Sequence, residues 1–279
     1  MMIYKTRKAL FVESENRWYT VEEIQWDEFF NLENLRNTIE GSLGGRGDLR
    51  LSPCGEPSAG ELTAPLEGQE IWAAGVTYYR SRDARMEESQ KAGGGSFYDR
   101  VYDAERPELF YKGSGRTAVG HGEAVRLRGD SKWNVPEPEL TLAINSRGRI
   151  FGFTIGNDMS SRDIEGQNPL YLPQAKVYDG SAALGPGVLL TDGLPPETEI
   201  QLTIERGGGE AFSGTTAIRE IKRPLDSLVE FLFRDNTFPR GCFLMTGTGI
   251  VPPNDFTLQS GDAIGITIQP IGTLTNTVS

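Results

Sequence analysis

Glu137-Pro138-Glu139 opens directly onto Leu140-Thr141-Leu142-Ala143-Ile144, and a second apolar run, Ile150-Phe151-Gly152-Phe153-Thr154-Ile155, closes on Gly156-Asn157-Asp158. Short apolar runs of this kind read as strands. In a strand, residues i and i+2 share a face, so Glu137 and Glu139 project together, about 7 Å apart along the backbone. Like charges on one face repel unless a cation or a basic group lies between them. Asp158 supplies a third carboxylate at the end of the second run. Hard oxygen donors without a neighbouring His or Cys favour Mg2+ or Mn2+ over Zn2+. The competing reading is a pair of solvated charges on an edge strand.

Lys176 lies downstream in Pro173-Gln174-Ala175-Lys176-Val177-Tyr178-Asp179. Beside a divalent cation on partly buried backbone, desolvation and like charge both lower an ammonium pKa, which makes a usable base. A surface lysine paired with Asp179 is the alternative. Glu108, in Arg106-Pro107-Glu108-Leu109-Phe110, is a candidate general acid or a salt-bridge partner of Arg106 or Lys112. Thr246-Gly247-Thr248-Gly249 follows an apolar strand, and its N–H groups suit a carboxylate nest as well as an ordinary turn. His121 is the only histidine and reads as structural. No G-x-S-x-G elbow, P-loop or dinucleotide fingerprint is present.

The rest of the chain is strand-rich. Residues 8–13, 17–21, 71–76, 109–112, 187–190, 199–204, 242–246 and 263–268 read as strands, the last with period-2 alternation of Ile264, Ile266 and Ile268. Trp26 to Ile39 carries a helical stripe, and Leu225, Leu228, Val229 and Leu232 share one helical face. A short helix is expected over 81–88, followed by a Gly-rich connection, 87–99, that suits an active-site lid. No βαβ alternation appears, so the class is α+β rather than doubly wound. The Gly-, Ser- and Pro-rich segment 41–65 lacks periodicity and reads as a boundary. A small N-terminal α+β domain is expected over 1–65, and a larger catalytic one over 66–279.

With 279 residues the chain can bury a large core, and its net charge of −11 argues against nucleic acid or anionic membrane as a partner. Two cysteines far apart, Cys54 and Cys242, build neither a zinc site nor a disulfide framework. No apolar run approaches the ~18 residues of a membrane span. The first residues carry no hydrophobic signal core, so a cytoplasmic protein is expected.

Together, Glu137-Pro138-Glu139, Ile155-Gly156-Asn157-Asp158-Met159-Ser160-Ser161-Arg162-Asp163, Lys176, Leu184-Gly185-Pro186 and Thr246-Gly247-Thr248 resemble the fumarylacetoacetate hydrolase superfamily across roughly residues 70 to 279. The resemblance implies a mixed β-sandwich roll, a homo-oligomer, 2-oxo-acid substrates and Mg2+ or Mn2+ held by Glu137, Glu139 and Asp158, with Lys176 beside it. Many C–C-cleaving members carry a His and a Glu three residues apart where this chain has Ser81 and Ala84. Asn168 to Lys176 and Arg106 to Phe110 look instead like the branch that dehydrates 2-keto-3-deoxy sugar acids, typified by 2-keto-3-deoxy-D-arabinonate dehydratase. That similarity implies a hydro-lyase converting a 2-keto-3-deoxy-pentonate to a 2-oxo semialdehyde through a metal-stabilised enolate. Lys176 would be its base and Glu108 its acid, and Arg80, Arg82 and Thr248 are candidate substrate contacts. A C–C hydrolase or a 2-oxo-acid decarboxylase or isomerase on the same metal is the alternative.

Overall fold

The fully buried strand β10, Pro138–Ile144, is the axis of the molecule. The structure is a computed structural model that describes residues 1–78 and 101–279. β10 is flanked by β11 (Ile150–Asp158) and β16 (Cys242–Met245), and both of its faces are covered, so that even Glu139 and Thr141 are buried in it. Beyond β16 come β5 (Glu70–Gly75) and β6 (Glu108–Ser114). Beyond β11 come β13 (Ala182–Leu189), β1 (Met2–Lys5), β2 (Leu10–Ser14), β3 (Arg17–Glu22) and β4 (Arg50–Cys54), with β7 (Ala118–Val119) also paired to β13. A separate five-stranded sheet runs β15 (Gly209–Ala217), β14 (Glu199–Arg206), β17 (Ala263–Ile268), β18 (Gly272–Val278) and β8 (Ala124–Val125). A small pair, β9 (Asn134–Val135) with β12 (Ser160–Ser161), sits beside the end of β11. This is the strand-rich α+β architecture expected.

Alternation along β10 divides the core. Leu140, Leu142 and Ile144 pack with Ile200, Leu202, Ile264, Ile266 and the helix Leu225–Phe233. Ala143 faces the other way and belongs with Ile71, Phe243, Val188 and the aromatic cluster Trp26, Phe29 and Phe30. The predicted helical stripe from Trp26 to Ile39 is two helices, Trp26–Phe30 and Leu35–Leu43. The break has a local cause. The Asn31 side-chain amide donates to Asp27 O at 2.7 Å, and its carbonyl accepts from Ser146 N–H at 2.7 Å, pinning the chain to a neighbouring loop.

Several strands escaped the periodicity argument, β1, β4, β15 and β18 among them. β4 lies inside the segment read as a boundary, and its Pro53 stands at the sheet edge, where a missing N–H is tolerated. β15 is mostly exposed and therefore lacks an apolar alternation to read. The N-terminal strands are continuous with the main sheet, because Met2 pairs with Leu189 and Ile3 with Val188. The expected helix over 81–88 and the Gly-rich connection after it lie outside the described residues.

Candidate metal centre

Register brings the three carboxylates together. β10 and β11 pair antiparallel, with Glu139 opposite Gly156 and Pro138 opposite Asn157. One step further, Asp158 N–H donates to Glu137 O at 2.9 Å, so Glu137, Glu139 and Asp158 share a face at one end of the sheet. All three are buried, and one oxygen from each lies within 4.8 Å of the other two. Oxygens on opposite sides of one Mg2+ stand about 4.2 Å apart, twice a bond of roughly 2.1 Å. The cluster thus fits a single hard cation after small side-chain movements. The carboxyl ends of β5 and β16 and the amino end of β6 converge on the same place, forming a cavity of about 20 Å3, room for about one water-sized body.

Lys176 ends the short helix Leu172–Lys176 and is fully buried. Its Nζ lies 2.7 Å from Glu137 Oε2, 2.9 Å from Asp158 Oδ2 and 2.5 Å from Ser160 Oγ, with Glu165 Oε1 at 3.5 Å. The surface-lysine alternative is thereby corrected: Asp179 pairs with Arg116 instead. Lys112 is equally buried and approaches Asp158 Oδ1 at 2.6 Å, so it is not the partner of Glu108. Arg162 Nη2 donates to Glu137 Oε1 at 2.9 Å, and its side chain is also buried and lines the cavity. Within this set the cationic side chains thus meet the acidic ones at close range.

The two innermost carboxyls are pushed in opposite directions. Burial, then the charges of Asp158 and Glu137, drive Glu139 well above the usual carboxylate range. Burial alone would raise Asp158 too, but Lys112 and Lys176 outweigh it and hold that carboxyl low. Glu139 Oε2 accepts from Gly247 N–H at 2.6 Å. Of the segment 246–249 suspected as a nest, Gly247 N–H meets a carboxyl, and that carboxyl is the chain's own, whereas Thr246 N–H donates to Leu140 O. Thr248 lines the cavity, with its hydroxyl bonded to the backbone of Ile250.

Glu108 begins β6 directly opposite Gly75, a cavity-lining residue at the end of β5. A Cβ at Gly75 would lie 2.1 Å from Glu108 Oε2, so the absent side chain is what lets this carboxyl lie there. Next to it, Val76 has a φ of 53°, costly for a β-branched residue by about 1–3 kcal/mol. Arg80, Ser81, Arg82 and Ala84 lie outside the described residues. His121 sits apart from the site and accepts a hydrogen bond from Thr275 N–H at 3.3 Å.

Sequence reasoning missed Lys112, Arg162 and Glu165. Arg162 stands four residues after Asp158 inside a motif already quoted, so its spacing was a usable signal. A lone lysine amid Phe110, Tyr111 and Gly113 was a weaker one.

The C-terminal family model of fumarylacetoacetate hydrolase matches residues 71–279. The chain belongs to the fumarylacetoacetate hydrolase family. It is 49% identical over 219 residues to a probable 2-keto-3-deoxyxylonate dehydratase of Haloferax volcanii, spanning 78% of this chain and 74% of that protein. It is 43% identical over 216 residues to a 2-dehydro-3-deoxy-D-arabinonate dehydratase of Saccharolobus solfataricus, spanning 76% and 72%. Among solved structures, 2-keto-3-deoxy-D-arabinonate dehydratase complexed with magnesium and 2,5-dioxopentanoate superposes with a TM-score of 0.82 at 32% identity, covering 100% of this chain and 98% of that one.

Proposed function

We propose that this chain is a Mg2+-dependent hydro-lyase that removes water from a 2-keto-3-deoxy-pentonate to give a 2-oxo semialdehyde. The observation that carries the reading is the buried triad Glu137, Glu139 and Asp158 with Lys176 on its rim. The two relatives above 40% identity, both named as dehydratases of such acids, and the Mg2+-bound structural relative support it.

Glu137, Glu139 and Asp158 would hold the ion. Bound there, Mg2+ supplies Lewis-acid polarisation of the 2-oxo group, which acidifies the C3 hydrogens. Lys176 takes one proton from C3. Its ammonium form is then stabilised by Glu137 and Asp158, which already lie within 2.9 Å of Nζ. Glu108 gives a proton to the departing C4 hydroxyl. A proton then leaves C5 and one returns to C3, which gives the C4–C5 enol. Loss of the C5 hydroxyl proton and gain of one at C4 turn that enol into the aldehyde, and the net change is loss of one water. Arg162, beside Glu137 at the cavity wall, offers a fixed cation toward the substrate carboxylate. Thr248, Arg80 and Arg82 complete the substrate contacts in this reading.

A cytoplasmic homo-oligomer belongs to the same proposal. Among the described residues no helix is long and apolar enough to cross a membrane, and both cysteines are free. Leu170, 82% exposed, and Tyr171 present an apolar lip on the segment leading to Lys176, a suitable contact for a second copy.

Purified protein loaded with Mg2+ and offered 2-keto-3-deoxy-pentonates, acylpyruvates and oxaloacetate in separate reactions tests the proposal. Semialdehyde formed from the sugar acids, followed by NMR, is the expected result. Turnover of acylpyruvates or oxaloacetate alone would sink it in favour of the hydrolase or decarboxylase alternative.

A further inference from the structure

Strand β6 contains a β-bulge. Tyr111 pairs with Trp72 and Gly113 with Ile71, which leaves Lys112 as the extra residue on that strand. A bulge re-aims the side chain it carries. Here it turns a lysine fully into the interior, next to Tyr111, which remains exposed. Burying an ammonium is costly unless oxygen partners replace its water. Lys112 Nζ donates to Met159 O at 2.9 Å and to Lys176 O at 2.5 Å, and lies 2.6 Å from Asp158 Oδ1. The approach to Asp158 is that of an ion pair rather than of an aligned hydrogen bond, but three oxygens surround the three ammonium protons.

Those oxygens belong to two separate pieces of the site. Asp158 and Met159 lie at the end of β11, whereas Lys176 closes the helix Leu172–Lys176. Carbonyls in a last helical turn have no partner within the helix, and Lys112 supplies one. Lys112 is fully buried and is not one of the residues that line the cavity. It also meets Asp158 on the oxygen opposite to the one that Lys176 meets. If its purpose were charge neutralisation alone, two of its three contacts would not go to neutral backbone carbonyls.

We propose that Lys112 is a positioning residue for the dehydration: it occupies Asp158 Oδ1 and clamps the Lys176 carbonyl, so the ligand carboxylate and the base keep one fixed spacing. The proposal rests on the dehydratase reading for the reaction that is measured, and on the three Lys112 contacts for the clamp. Lys112→Met retains the bulk of the stem and removes all three contacts. It leaves Asp158 free to rotate and to offer both oxygens to a cation, while Lys176 loses its anchor.

The expected signature is therefore a split. With Lys112→Met, kcat falls about 10- to 100-fold, whereas KM and the affinity for Mn2+ alone, read by electron paramagnetic resonance on the otherwise metal-free protein, change far less. Lys112→Gln retains two donors and falls between the two. A kcat equal to that of the unsubstituted protein overturns the proposal. So does a loss of kcat that saturating Mn2+ restores, since the residue would then act only through metal retention. Failure of both variants to show a cooperative melt also rejects it, because the role would then lie in folding. If the unsubstituted, folded protein converts no 2-keto-3-deoxy acid, the dehydratase reading fails by itself. Lys112 is then judged by the same split on whichever 2-oxo acid the protein does convert.

Discussion

At the scale of single residues, the site combines repulsion and compensation, and different substitutions expose each. Glu139 is crowded by the charges of Glu137 and Asp158 in addition to being buried. Glu139→Gln keeps an oxygen for Gly247 N–H and removes one crowded charge. We expect Mn2+ affinity to drop by about tenfold or more, while the thermal midpoint in chelator holds or rises; a lower midpoint would show that the charge itself stabilises the fold. Lys176→Met acts in the opposite sense. It abolishes turnover and strips Glu137 and Asp158 of a buried cation, which costs on the order of 3–5 kcal/mol in the metal-free protein. Saturating Mg2+ should return part of the lost midpoint. An active Lys176→Met enzyme would remove that residue from the mechanism.

At the scale of elements, strand ends do the positioning. β5 and β6 pair antiparallel with Gly75 opposite Glu108, where a methyl group would meet the Glu108 carboxyl 2.1 Å away. Gly75→Ala should lower kcat by about 100-fold through a displacement of Glu108 of about 1 Å, with little change in Mn2+ affinity; an unchanged kcat would separate Glu108 from catalysis. Away from the site, Arg206 at the end of β14 grips Asp262 before β17 through two 2.7 Å hydrogen bonds, and Gln259 N–H adds a third at 2.9 Å. Burial alone would raise the Asp262 carboxyl, but the Arg206 fork and the amide outweigh it and hold it low. A depressed carboxylate contributes stability that is present above its unfolded value, near 3.9, and lost as pH falls through the lower folded one. Stability should thus decline below about pH 4. Asp262→Asn should lose roughly 1–2 kcal/mol at neutral pH, a modest figure because Arg206 is partly exposed, and should flatten that acid limb in melts recorded against pH.

At the scale of the whole molecule, one sheet joins the first residues to the catalytic part. We propose residues 1–65 as an N-terminal α+β unit attached by strand pairing rather than by a linker. Ile3 is fully buried, and β1 covers the edge of β13, the strand next to the one that carries Asp158. Phe30 is buried against Phe151 and Phe243 of the central sheet, and Trp26 packs on Phe29 and Phe30 behind it. A chain beginning at residue 66 would bare that aromatic bed and an unpaired strand edge. It should be insoluble or lack a cooperative melt, and a soluble, metal-binding 66–279 fragment would show the N-terminal unit to be dispensable.

Glu137, Glu139 and Asp158 were legible as one buried cluster because strand period and short connections are local properties, and a register of two adjacent strands follows from them; their reading as ligands came from the family resemblance. The central strands and the helix Leu225–Phe233 were legible for the same reason: a buried element carries its pattern in its own residues. β4 and β15 were not, since an edge or exposed strand takes its stability from a neighbour and has no apolar period to display. Lys112 and Glu165 were hidden more deeply. Their burial beside Asp158 and Lys176 depends on a bulge in β6 and on the docking of a short helix, contacts between segments 46 to 64 residues apart for Lys112. The sequence by itself determined which carboxylates would share one face. Only the tertiary structure decided which amines hold them, because charge pairing in a low-dielectric interior is set by distance in space and leaves no trace in spacing along the chain.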